Sequence, residues 1–180
     1  MAHRQALTDL QQRLAQRMAQ AREQPMAAGW LAVRVDGHGV LLPLAQAGEI
    51  FKSSQVLQVP YTRPWMLGVV NLRGSLCTAI DLGLLLHQLG VPWVQAPHSA
   101  ELGSGLQLVS INPVLQVNAA LRIDALAGLR NAPDFVAQQP PVADAPAFFG
   151  VQLQDVQAEC WQVLDVQQLV HSPAFLGVGV

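Results

Sequence analysis

Five histidines, His3, His38, His87, His98 and His171, are the residues of this 180-residue chain best suited to proton transfer or metal ligation. No two of them stand at His-x-x-x-His spacing, and a catalytic metal site needs at least three convergent ligands. No serine sits in a nucleophile elbow and no glycine-rich loop has P-loop spacing. The two cysteines, Cys77 and Cys160, form no Cys-x-x-Cys pair and have no histidine close by in sequence. Both fall in strand-like segments and are expected as small buried core residues. The chemistry to expect is recognition, with no catalysis, no metal and no cofactor.

Recognition chemistry concentrates in Asn71-Leu72-Arg73-Gly74 and in Gly48-Glu49-Ile50. A guanidinium offers five donors in a planar fork, suited to gripping a carboxylate or backbone carbonyls on a partner. Arg73 serves such a partner or fixes its own hairpin. Asn71 either touches the partner or, more in keeping with its type, secures local backbone. Gly74 is expected to supply a positive φ for the turn. Glu49 pairs with Arg73, with a partner, or with solvent. Alternation assigns Ile50, Val69, Leu72 and Leu76 to a core, one or two of them free to line a groove. Trp65 and Trp161 are expected to anchor cores.

These residues need elements to hold them. Leu7, Leu10, Leu14 and Met18 recur at helical spacing over 7–22, and Thr8 with Gln11 resembles a capping box. From Trp30 the period falls to two, and Asp36-Gly37-His38-Gly39 supplies the turn of a hairpin over 30–44. Short strands are expected at 49–51 and 56–59. Gly68 to Ile80 predicts two strands around Arg73-Gly74, and Asp81 is a strong cap for the leucine-rich helix that follows. After a polar loop at 94–105, strands are expected at 106–111, 114–117 and 121–125. A proline-marked loop is expected at 131–147. Residues 150–170 then repeat the order of apolar strand, Asp cap and short apolar helix, with Asp165 in the place of Asp81. Two similar lobes on one plan follow, and many short strands between Gly/Pro turns favour barrels over a parallel sheet.

Composition narrows the partners. Charged residues are 12% of the chain, about half the usual share, and hydrophobic residues are 51%. A sparsely charged surface suits a protein partly covered by others. The net charge is −2 and Lys52 is the single lysine, so phosphate-neutralising clusters for nucleic acid or anionic membrane are missing. No apolar run reaches the roughly 18–20 residues that span a bilayer, and the N-terminus lacks the apolar region of a signal peptide. The cytoplasm is the expected compartment.

Gly68-Val-Val-Asn-Leu-Arg-Gly74, followed by Ala79-Ile80-Asp81-Leu82, resembles the CheW-like domain of bacterial chemotaxis. Glu49-Ile50-Phe51, Pro60 and Pro64-Trp65 fall in that family's order upstream. Ile123-Asp124 and Val163-Leu164-Asp165 match its later apolar-Asp steps, so the resemblance spans about residues 30–170. The extra N-terminal helix and the divergent second half look like the PilI-like subgroup that serves type IV pilus (twitching) signalling. Thr78 stands where the family usually has Pro, and Ala120 where it tends to have Gly. Both replacements are small, so they bear on receptor contacts more than on fold.

The resemblance implies a mainly β fold of two small five-stranded SH3/OB-like barrels with short capped helices. The domains it implies are an N-terminal helix and linker at 1–28, the CheW-like domain at 29–172 and a tail at 173–180. It further implies a non-enzymatic adaptor that links a methyl-accepting chemoreceptor tip to the regulatory domain of a CheA-like histidine kinase, recruited to membrane receptor arrays. Arg73, Asn71, Glu49, Ile50 and Leu72 would form the partner-binding set, with Arg73 near a receptor groove between the lobes. The alternatives are a kinase-binding paralogue without receptor coupling, and a small-barrel oligonucleotide binder. Aromatics at 6% and a slightly acidic balance disfavour the last.

Overall fold

The computed structural model describes residues 29–53, 55–94, 105–141 and 145–179. The helix expected at 7–22 lies outside them, as does most of the loop at 94–105. The first hairpin pairs β1 (Trp30–Val35) with β2 (His38–Pro43) across Asp36 and Gly37, whose φ values are +49° and +76°. Positive φ at both central positions is the type I′ pattern, whose twist matches that of the flanking strands. The chain continues as β3 (Ala47–Ser53), β4 (Met66–Leu72), β5 (Ser75–Asp81) and helix α1 (Leu82–Gln88). The second half runs β6 (Leu106–Ile111), β7 (Ala119–Ile123), β8 (Ala125–Arg130), β9 (Phe135–Gln139), β10 (Phe149–Asp155) and β11 (Cys160–Leu164). It closes with α2 (Val166–Val170) and α3 (Pro173–Leu176).

These strands form a six-stranded sheet, β8-β1-β2-β11-β10-β9, and a five-stranded sheet, β3-β6-β7-β5-β4. The two sheets follow one plan. In each, the last strand of one hairpin (β1-β2 or β6-β7) lies parallel to the last strand of another (β10-β11 or β4-β5). The strand that follows each first hairpin crosses to the other sheet: β3 pairs β6, and β8 pairs β1. Each sheet is therefore built from both halves of the chain.

Three apolar clusters result. Ala32, Leu41, Leu153 and Trp161 fill the six-stranded side. Val70, Leu72, Cys77, Ala79 and Leu108 fill the five-stranded side. A larger cluster between them gathers Leu31, Val33, Val40, Leu42, Val109, Leu121, Trp65 and the helices. Neighbouring residues of β1 and β2 thus face two different cores, which is why apolar side chains stand on both faces of these strands. Trp65 and Trp161 are buried at 1% and 0% exposure, as expected of anchors.

Several expectations change. The strand expected at 114–117 is a 3₁₀ turn at Pro113–Leu115, because the Asn112 side chain accepts the Val114 N–H and Pro113 starts the turn. Of the strand expected at 56–59, only Leu57 pairs, in a bridge to Val69. The loop expected at 131–147 contains β9, an edge strand whose side chains are mostly exposed and so give no apolar alternation to read. Cys77 is buried as expected, but Cys160, at the mouth of β11, is exposed. The stretch expected as a tail at 173–180 carries α3. There Ser172 caps the helix, Phe175 is buried against Trp65 with ring centroids 6.4 Å apart, and Gly179 bridges to Thr62.

Candidate partner-binding surface

The turn between β4 and β5 places Arg73 and Gly74 at φ +49° and +89°. Gly74 carries this without strain, but a side-chain residue such as Arg73 adopts the left-handed region at a cost. Asn71 offsets that cost: its Oδ1 accepts the Gly74 N–H at 2.8 Å, closing the turn from within. The Asn71 amide is thus engaged in local structure, and Arg73 projects from a braced tip.

Glu49 reaches the same place from β3. Ala47 pairs with Ile111 and Ile50 with Val109, so Gly48 and Glu49 together oppose the single residue Ser110. Two residues against one is a β-bulge, and it resets the alternation of the strand. Glu49 and Ile50 consequently both face outward, Ile50 at 44% exposure. This overturns the expectation that Ile50 is core. Leu76, also expected in the core, is 68% exposed beside the hairpin tip. Leu72 is buried as alternation predicts, and Val69 is half-buried.

The two charges meet. Arg73 Nη1 lies 2.6 Å from Glu49 Oε2, and its guanidinium sits 5.7 Å from the Phe51 ring centroid. The pair stays wet, with side chains 75% and 56% exposed. Beside it runs an open groove of about 240 Å³, lined by Phe51, Leu72, Cys77, Ser110, Pro113 and Val117 among others, with Glu49 and Arg73 on its rim. Ile50 stands outside this lining. Of the five expected site residues, Arg73, Glu49 and Leu72 converge on the groove, Asn71 braces the turn, and Ile50 lies on the neighbouring outer face.

A second ion pair shows how a structural pair differs. Arg34 grips both carboxylate oxygens of Glu159, Nη2 to Oε2 at 2.8 Å, with its guanidinium 4.6 Å from the Trp161 ring centroid. The hydrogen bonds to Glu159 raise the Arg34 pKa above its ordinary value, against the opposing effect of burial. Both side chains are about one-third exposed or less, far drier than the Arg73 pair.

Sequence reading missed Ser110, Phe51 and the residues around Pro113. One signal for Ser110 was present: a glycine inside a strand, Gly48, often marks a bulge. Among the described residues, no group of three or more His, Cys, Asp or Glu is placed to hold a metal ion. No described helix is long and apolar enough to cross a membrane.

The paired hairpins, the exchanged strands and the Asn-Leu-Arg-Gly turn define the class. Residues 29–174 match the family model of the CheW-like domain, and the chain belongs to that family. Membership makes it a non-enzymatic scaffold. The chain is 28% identical over 184 residues to Protein PilI of Pseudomonas aeruginosa, an alignment covering 98% of this chain and 96% of that protein. Its fold matches the crystal structure of the scaffolding protein TtCheW from Thermoanaerobacter tengcongensis. The TM-score is 0.63 at 18% identity, with 83% of this chain and 96% of the other covered.

Proposed function

We propose that the chain is a signalling adaptor that couples a chemoreceptor tip to the regulatory domain of a CheA-like histidine kinase. One observation carries this reading: two opposite charges, wet and therefore worth at most about 1 kcal/mol to the fold, are held at a groove rim by braced backbone on both sides. A pair that contributes so little to stability is suited to exchanging partners, the guanidinium for a partner's carboxylate and Glu49 for a partner's donor. Phe51 and the apolar floor supply area for the side chains of a docked helix. The similarity to PilI over nearly the whole of both chains supports placing the adaptor in type IV pilus (twitching) signalling. On this reading it works in the cytoplasm at membrane receptor arrays, holding two partners in fixed geometry with a coupling free energy of about 1–3 kcal/mol.

The test is calorimetric titration with the kinase regulatory domain and, separately, with the receptor tip fragment from the same genome. Saturable one-to-one binding to both, with receptor binding lost in Arg73→Glu, is the expected outcome. Kinase binding alone would favour a paralogue without receptor coupling. Binding to neither by the folded protein would sink the adaptor reading.

A further inference from the structure

We infer that Ser110, which lies on a strand remote in sequence from both charges, is the positioning residue of the Glu49–Arg73 pair; the inference rests on the adaptor reading for its consequence in binding. Ser110 Oγ accepts the Glu49 N–H at 2.8 Å and donates to the Glu49 carbonyl at 3.3 Å. One hydroxyl therefore satisfies both backbone groups of the residue that the bulge lifts out of the ladder. An extra strand residue normally leaves such groups to solvent and free to move. Here it is pinned.

Gly48 is fitted to the same contact. A Cβ at position 48 would sit 2.4 Å from Ser110 Oγ and 2.9 Å from the Ser110 carbonyl oxygen. The serine side chain thus occupies the space that the glycine leaves, and the two form one device. With it in place, the Glu49 carboxylate is delivered to Arg73 at 2.6 Å across a strand-to-turn gap that no backbone ladder spans. β3 and β4 are the two opposite edges of the five-stranded sheet, so no ladder pairs them, and the clamp from β6 fixes the backbone from which Glu49 leaves β3.

The experiment compares wild type, Ser110→Ala, Arg73→Ala and the double variant. In the free protein, Ser110→Ala should speed hydrogen exchange at the Glu49 amide. It should also lower the order parameter of the Arg73 Nε–H, and Glu49→Gln should do the same. In titrations with the kinase regulatory domain and the receptor tip fragment, Ser110→Ala should weaken the Arg73-dependent binding about three- to tenfold, the worth of one or two hydrogen bonds. That loss should vanish in the Arg73→Ala background. If Ser110→Ala melts early, Ser110→Cys, which nearly keeps the volume and weakens both hydrogen bonds, carries the same comparison. Unchanged Arg73 order, or an equal loss with Arg73 already removed, overturns the inference. Failure of wild type to bind either probe sinks the adaptor reading and the binding consequence, while exchange and order parameters still decide the positioning.

Discussion

Asp81 and Asp165 do the same job in the two halves of the molecule with different second partners. Each stands at the end of the last strand of a hairpin, Asp81 as its final residue and Asp165 just after it, donates its own N–H at 2.8 Å to an aromatic residue's carbonyl (Trp65 or Phe148), and caps a short helix. Each accepts the N–H three residues on, from Leu84 or Gln168. The remaining capacity is met from the parallel neighbour strand or the turn just after it. For Asp81 this is Arg122 Nη1 at 2.6 Å on β7; for Asp165 it is the Gln46 amide after β2, at 3.1 Å, joined by the Gln168 side-chain amide at 3.0 Å. Asp81 is 1% exposed. Asp165 keeps contact with solvent. The buried carboxylate takes a cation and the wetter one a neutral amide, as the cost of burying charge requires.

The largest effect should follow from removing the cation. Arg122→Ala leaves a buried carboxylate without its counter-charge and should cost about 3–5 kcal/mol in urea unfolding. It also frees Asp124, which Arg122 Nη2 reaches at 3.3 Å and which accepts the Asp36 N–H in the β1-β2 turn. Gln46→Ala should cost less, about 1–2 kcal/mol, because a neutral donor to Asp165 and a neutral acceptor for the Val166 N–H are lost. A loss for Arg122→Ala no greater than for Gln46→Ala would break the contrast.

Acid tests the Asp165 cap on its own. Burial pushes the Asp165 pKa up, but hydrogen bonds from Gln168, Gln46 and the Gln167 backbone outweigh it, and the net shift is downward. A depressed carboxylate contributes stability that is present above its unfolded pKa and lost as pH falls through the folded one. The deficit of Gln46→Ala relative to wild type should therefore narrow below about pH 4. Asp155 behaves in the same sense, held low chiefly by the Trp161 Nε1–H at 3.0 Å and by the backbone of Glu159 and Gln157. Trp161→Phe should accordingly flatten the acid limb of the stability curve. A parallel acid limb in wild type and Trp161→Phe would remove Asp155 from that account.

The smallest effect on the fold is expected at the surface. Glu49→Gln should move stability by no more than about 1 kcal/mol, since the pair is wet. Its consequence should appear in partner titrations.

Much of this was legible in the chain. The Arg73-Gly74 turn, the Asp81 and Asp165 caps and the paired plan were all readable, because turns and caps are short-range chemistry. The outward set of β3 was not. Alternation counted from Ile50 assumes an unbroken ladder, and the bulge opposite Ser110 flips the phase by one residue. β8 and β9 were missed because edge strands with exposed side chains carry little apolar pattern. The Arg122 and Gln46 contacts join residues 41 and 119 positions apart and have no local signature.

The crossing of β3 and β8 has a mechanical meaning. Each sheet takes an edge strand from the chain half that supplies the other sheet's first hairpin, so the halves are fastened like two clasped hands. A chain cut between residues 94 and 105 would yield two pieces, neither holding all the strands of either sheet. Neither piece should fold alone, and mixing them should restore one cooperative unit. Glu49 at the groove and β2 in the opposite sheet are joined by only a short turn of chain, so the strand that carries the ion pair is tethered to both sheets.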